Sequence, residues 1–345
     1  MVEEIEIDRS GTRLPASLIL PAKYRGALPG WIVLGGVSRM GRFHPQLMRF
    51  ARSLAASGSA VILPEMPEWT RLELAPGVTA PTVRGCVDAL RARPEVRPGK
   101  LGLIGFSFGA PQAVMAAAEP GLSGEIAGVV LFGGYCCLER TLVCQLTGEH
   151  DWQGVEYNLS PDPYGGWVAG ANYLTRLPGH GDAEDVARAL HRLASAASDQ
   201  RVAAWMSHHD ALIVELRETV APERRSTYDI FATPSTVERT DPDARRDMAV
   251  RLADLCRRVE PLLDPGKALA RVNVPTRLIH GRADRLIPFT ESLRLRDALP
   301  PAARGGLTVT GLFAHSADRE MLRFGDRVRE GLIWFGALRG IINTT

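Results

Sequence analysis

The segment Gly105-Phe106-Ser107-Phe108-Gly109 ends an apolar run and leads into small residues. A serine between glycines two positions away on each side suits a tight strand-to-helix elbow, where larger flanking side chains would collide and the hydroxyl is lifted clear of the sheet. In a chain with 34 glycines the pattern alone is weak; the strand before it and the helical segment after it give it weight. A serine hydroxyl becomes a nucleophile only when a base takes its proton, and a histidine oriented by a carboxylate is the usual base. Two later stretches can supply these partners, each in a loop beyond an apolar run. "TRLIHGRADRLIP" carries Asp284, and "LTVTGLFAHSAD" carries His315.

The elements that must position these residues alternate in type. "EEIEI" (3–7) and "LPASLILPA" (14–22) read as a hairpin around Ser10-Gly11. Buried strands are expected at 30–36, 60–67, 101–107 and 126–134, with helices at 45–57, 80–94 and 111–119 between them. Strand and helix in this alternation imply right-handed crossovers and a mostly parallel sheet covered on both faces. The alternation stops from 137 to 267. An aromatic loop region holds Trp152, Tyr157, Tyr164, Trp167 and Tyr173, and long helical patterns follow, one running from Asp182 to Val220. It resumes with a strand and loop at 274–284, a helix at 289–299, a strand and loop at 306–315, and a closing helix at 326–342. One α/β core, 1–136 and 268–345, interrupted by a mainly helical insertion, 137–267, accounts for the order.

Composition narrows the function. The 345 residues carry 41 basic and 39 acidic side chains, a formal charge of +2, so neither nucleic acid nor an anionic membrane is implied as a partner. No apolar stretch approaches the roughly 18 residues of a membrane span, and the acidic, alternating N-terminus "MVEEIEIDRS" is unlike a signal peptide. Cys86, Cys136, Cys137, Cys144 and Cys256 form no C-x-x-C pair, which points to reduced thiols and a cytoplasmic location. His280 abuts a strand end and reads as structural. His208-His209-Asp210 lies in a helical pattern whose neighbours point to different faces, so no metal site is expected.

Ser107, Asp284 and His315, in this order and on these loops, resemble the catalytic triad of the α/β-hydrolase superfamily. The resemblance covers the core, and the insertion resembles the caps that many members carry between their sixth and seventh strands. "HGRADRLIP" is similar to the family's acid loop, while "LGGVSRMG" and "AVILPEMP" look most like the dienelactone-hydrolase and capped-esterase side. Dienelactone hydrolases proper use cysteine where this chain has Ser107. The resemblance implies an oxyanion hole built from the Phe108 N–H and a second donor in "LGGVSRMG", either Gly36 or Val37. It also implies an alternative acid, Glu139, since some relatives draw the carboxylate from the loop after the sixth strand.

The chemistry expected is acyl transfer from a carboxylic ester or lactone to Ser107, with His315 as base, Asp284 as orienting acid and water resolving the acyl-enzyme. No cofactor is required. A thioesterase, amidase, acyltransferase or carbon–carbon hydrolase could use the same triad, and a non-catalytic ligand-binding protein could share the fold. The five insertion aromatics either line an acyl site or seat the insertion on the core. Arg39 and Arg42 either meet an anionic substrate or stay solvated. The chain is expected to act on a small molecule, as a monomer or homodimer.

Overall fold

A computed structural model describes residues 1–239, 241–312 and 324–342. The strands are β1 (Val2–Arg9), β2 (Thr12–Ile19), β3 (Gly30–Leu34), β4 (Ala60–Pro64), β5 (Leu101–Phe106), β6 (Ile126–Phe132), β7 (Glu149–Trp152), β8 (Val155–Asn158), β9 (Thr276–Gly281) and β10 (Arg304–Thr310). All but β7 and β8 form one sheet, in the order β1-β2-β4-β3-β5-β6-β9-β10. β1 and β2 close through Ser10 and Gly11, both with positive φ (51° and 88°), the backbone twist a two-residue hairpin turn requires. β2 also meets β4 antiparallel; every other pairing in the sheet is parallel.

Residues alternate across the sheet, so each strand feeds two cores. Trp31 and Val33 of β3 face Leu47, Ala51 and Leu54 of the helix Pro45–Ala56, in a cluster that includes Ile341 of the C-terminal helix Phe324–Ile342. Ile32 and Leu34 face the opposite way, into a larger cluster with Val83 and Val87 of the helix Thr79–Arg91 and Val114 of the helix Gly109–Ala118. Both faces are covered, and β3 and β4 are buried along their whole length.

β3 lies between β4 and β5, so the chain winds outward from β3 in both directions. The loops leaving such a switch point diverge and open a crevice at the carboxyl ends of the strands. Register brings those ends together: Leu34 pairs with Gly105, Phe106 with Phe132, Phe132 with Ile279, and Gly281 with Thr310. The loops after β3, β5, β6, β9 and β10 therefore leave from one edge.

Between β6 and β9 the chain builds the helices Leu138–Thr147, Tyr164–Tyr173, Glu184–Gln200, Asp210–Glu218, Arg225–Phe231 and Pro242–Val259. The expected aromatic loop region is more ordered than its sequence suggested. It contains a helix, the β7–β8 hairpin and a second helix, Tyr164–Tyr173, whose Trp167 and Tyr173 are core positions, while Trp152 and Tyr157 on the hairpin are half-buried. The long helical pattern from 182 to 220 breaks after Gln200, where Arg201 turns left-handed (φ 57°), and a single 3₁₀ turn, Ser207–His209, restarts it. Trp167, Leu190, Tyr228, Phe231 and Leu252 of this region share the apolar cluster of the adjoining sheet face.

Candidate active site

Ser107 follows β5 directly and has φ 55°, a left-handed conformation that costs an L-residue about 1–3 kcal/mol. Its neighbours over-determine it. The Ser107 N–H donates to Phe132 O at 2.8 Å and the Ala110 N–H to Ser107 O at 2.9 Å. Phe106 stacks on Phe132 at 4.4 Å, while Phe108 meets Trp69 edge-on at 5.2 Å. The flanking glycines are required by contact: a Cβ on Gly105 would lie 2.2 Å from Gly109 O, and one on Gly109 would lie 2.1 Å from Gly35 O. No side chain fits either gap, so the elbow exists because both positions lack one.

The loop after β3 approaches Ser107 equally closely. A Cβ on Gly36 would sit 3.0 Å from Ser107 Cβ and 3.3 Å from its Oγ. Val37, Ser107 and Phe108 together line an open cleft. The N–H groups of Gly36, Val37 and Phe108 make no backbone hydrogen bond among the described residues. They are donors next to a serine hydroxyl, the arrangement a developing oxyanion needs.

Asp284 is fully buried in the loop after β9. Its Oδ1 accepts from the N–H groups of Leu286 and Ile287, both at 3.0 Å, and Oδ2 lies 3.5 Å from His280 Nε2. His280 holds the loop's shape. Its Nε2–H donates to Ile287 O at 2.9 Å and its Nδ1 lies 2.6 Å from the Ser292 hydroxyl, so both ring nitrogens are engaged. Leu286 and Ile287, the residues that cradle Asp284, reach the cleft that Ser107 lines. His315 lies outside the described residues.

Glu139, the alternative acid, stands at the start of Leu138–Thr147 and is engaged with Arg257 at 2.6 Å. A buried carboxylate does meet the loop after β6, but it is Glu291, from beyond β9, which accepts from the N–H groups of Cys136 and Cys137 at 2.9 and 2.8 Å and from Arg140 Nε at 2.7 Å. It ties that loop to the helix Phe289–Ala298. Burial pushes the Cys136 thiol up to about 12 and raises Cys137 as well, so neither is a ready thiolate. All five cysteines are free.

Of the five aromatics, Tyr164 alone lines the cleft. Trp167 is fully buried and donates to Phe231 O at 2.9 Å, and Tyr173 donates to Leu74 O at 3.1 Å. Tyr157 stacks on His150 beside Phe289, and Trp152 lies under Arg294. Trp167 thus braces the helical segment internally, while Tyr173, Tyr157 and Trp152 join it to Leu74, Phe289 and Arg294. Arg42 is buried among Glu4, Glu65 and Ser17, and Arg39 pairs with Asp199, so both arginines have structural partners. His208 and His209 bond to Gln200 Oε1 and Val202 O, and no group able to hold a metal occurs among the described residues.

The cleft's outer wall is one that sequence reasoning missed. Leu138, Thr141, Leu142 and Gln145 all face it from one helix. Their spacing of three, four and seven residues, directly after a core strand, is the signal that could have found them. Val168, Leu263, Leu286 and Ile287 make the rest of the lining strongly apolar. Apart from that of Ser107, its hydroxyls are already spent on carbonyls: Tyr135 on Leu263 O, Thr141 on Cys137 O and Tyr164 on Val37 O.

No family model matches the chain and no curated protein matches it in sequence. Solved structures do match. An acylaminoacyl peptidase from Pyrococcus horikoshii is 12% identical with a TM-score of 0.50, over 99% of this chain but 41% of that one. The chain has the α/β-hydrolase fold. A dienelactone hydrolase from Anabaena variabilis is similar over 98% of this chain and 95% of its own, at 15% identity and a TM-score of 0.48. A 2,6-dihydroxy-pseudo-oxynicotine hydrolase is 17% identical over 98% of this chain and 69% of its own, with a TM-score of 0.47. At 12% identity the peptidase match speaks to the fold alone. Among the described residues, no helix is long and apolar enough to cross a membrane.

Proposed function

We propose that this protein is a serine hydrolase that cleaves a carboxylic ester or lactone bearing an apolar acyl group. One observation carries the reading: Ser107 is held left-handed at the end of β5, in an apolar cleft and beside unspent backbone N–H donors. Strain of this kind persists where the surrounding structure enforces it, and it serves to expose a reactive side chain.

In this mechanism Ser107 Oγ attacks the carbonyl carbon, and His315, assigned by its position in the sequence, takes the proton. Asp284 keeps the imidazole in the useful tautomer and stabilises the imidazolium. The oxyanion is held by the Phe108 N–H and by that of Gly36 or Val37; one such donor is worth about 3–4 kcal/mol at the transition state. His315 then protonates the leaving group, and water releases the acid by the same steps in reverse. Segment 137–267 acts as a cap, its helix Leu138–Thr147 forming the acyl wall. We place the protein in the cytoplasm, as a monomer or homodimer.

The test is a fluorophosphonate probe with p-nitrophenyl esters of increasing chain length. The expected result is an adduct on Ser107, turnover that rises from acetate to butyrate, and a loss of at least about 10³-fold in Ser107→Ala. An unmodified Ser107, with hydrolysis unchanged by the substitution, would overturn the reading.

A further inference from the structure

Gly35 and Gly36, lacking Cβ atoms, give the loop after β3 a wide backbone freedom. The residues that follow bond within their own loop, Met40 N–H to Ser38 Oγ and Gly41 N–H to Ser38 O, and are held at three further points from the helical insertion. The Tyr164 hydroxyl donates to Val37 O at 3.1 Å. Ser198 Oγ accepts the Arg39 N–H at 2.9 Å and lies 3.3 Å from Ser38 Oγ. Asp199 Oδ1 accepts from Arg39 Nε at 2.8 Å. Tyr164 opens one helix, and Ser198 and Asp199 stand in the last turn of the next, Glu184–Gln200, so separate elements converge on one tripeptide.

On its other side the same loop rests against Ser107 through Gly36. It is clamped between the nucleophile and the insertion. An oxyanion donor must be held within about 0.5 Å of its working position, and a misplacement of 1 Å can cost on the order of a hundredfold. The Arg39–Asp199 pair is too exposed to supply that precision alone, since its side chains are 41% and 53% accessible. The Tyr164 contact is sheltered, and burial pushes its phenol well above the ordinary value, so it remains a donor at any working pH.

We infer that Tyr164 is a positioning residue: from the insertion it holds the Val37 carbonyl, assisted by Ser198, and so fixes the second oxyanion donor at Gly36 or Val37. Its catalytic consequence rests on the hydrolase reading above. The tether itself does not. Seating of the insertion and completion of the oxyanion hole then become one event, because the same hydroxyl does both.

The experiment compares wild type, Tyr164→Phe, Ser198→Ala and the double variant on p-nitrophenyl acetate, butyrate and octanoate. Amide hydrogen exchange is followed over residues 34–41. Tyr164→Phe should lower kcat about tenfold on all three esters, with KM within about twofold. Ser198→Ala should lower it about threefold in the same pattern, the double variant falling short of the product because both act on one loop. Exchange over 34–41 should quicken in each variant. A KM change that grows with acyl length would overturn the inference, since Tyr164 would then be touching substrate. So would a fall in Tyr164→Phe with Ser198→Ala and exchange both unaltered, which would mean that the phenol meets the reacting atoms directly. If Ser107 in the wild type resists the phosphonate, the hydrolase reading and the catalytic half of this inference fall together, while the exchange measurement still decides whether the tether exists.

Discussion

Around Ser107, at the sheet edge, backbone lies against backbone, Gly109 on Gly35 and Gly105 on Gly109, and Gly36 lies against the serine side chain. Across the cleft, the insertion holds its position through polar side chains: Tyr164 on Val37, Asn172 on Leu72, Tyr173 on Leu74, and Asp185 on Arg224 within the insertion. The first kind of contact carries no charge and leaves no space, so it is indifferent to pH and intolerant of a single added carbon. The second kind can be loosened step by step by truncation and, at Asp185, also by protonation. One half of the cleft is built to stay fixed, and the other can be tuned.

Three measurements can break or sharpen this contrast. The largest effect is expected for Asp284→Asn, where kcat should fall about 10⁴-fold because the imidazole loses its orienting charge. The melting temperature should move little, since an amide oxygen can still accept from Leu286 and Ile287. A collapse of the fold instead would mean that the acid loop depends on its charge.

Next is Gly109→Ala. Its Cβ would meet a backbone carbonyl that cannot swing away, so a loss of about 3 kcal/mol or more is expected in chemical denaturation. Gly124→Ala, with nothing within 4 Å, is the control. Equal stability of the two variants would refute the claim that the elbow rests on steric exclusion.

The smallest effect belongs to Asp185. Burial alone would raise its carboxyl, but the Arg224 guanidinium and the N–H groups of Ala221 and Val186 outweigh burial and hold it at about 2. A carboxyl depressed on folding contributes stability above its unfolded value, near pH 4, and loses it as pH falls toward 2. Asp185→Asn should therefore cost about 1–2 kcal/mol at pH 7 and almost nothing at pH 2. Below pH 4 the wild type should show faster amide exchange in the insertion helices before the sheet responds. Simultaneous loss of both would erase the difference between the two halves.

Much of the core was legible because its signals are local. The buried strand at 101–106, the glycines at 105 and 109 and the helix behind them follow from short-range sterics. The acid loop could be read from "HGRAD", although the reason for its histidine could not: His280 bridges Ile287 and Ser292, which only the folded loop brings together. The insertion was misread where its aromatic residues suggested a loop. Trp167 and Tyr173 are packed and hydrogen-bonded to carbonyls distant in sequence, and no local pattern announces such partners.

The sequence by itself determined the alternation of elements, the elbow at Ser107 and the order in which the candidate groups follow it, since periodicity and glycine sterics act over a few residues. Only the tertiary structure decided which side chains share the cleft, that Leu138 to Gln145 form its wall, and that Tyr164 grips the loop after β3. Those facts depend on strand order and register. They bring residues more than a hundred positions apart to one edge, through contacts that have no counterpart in the linear spacing.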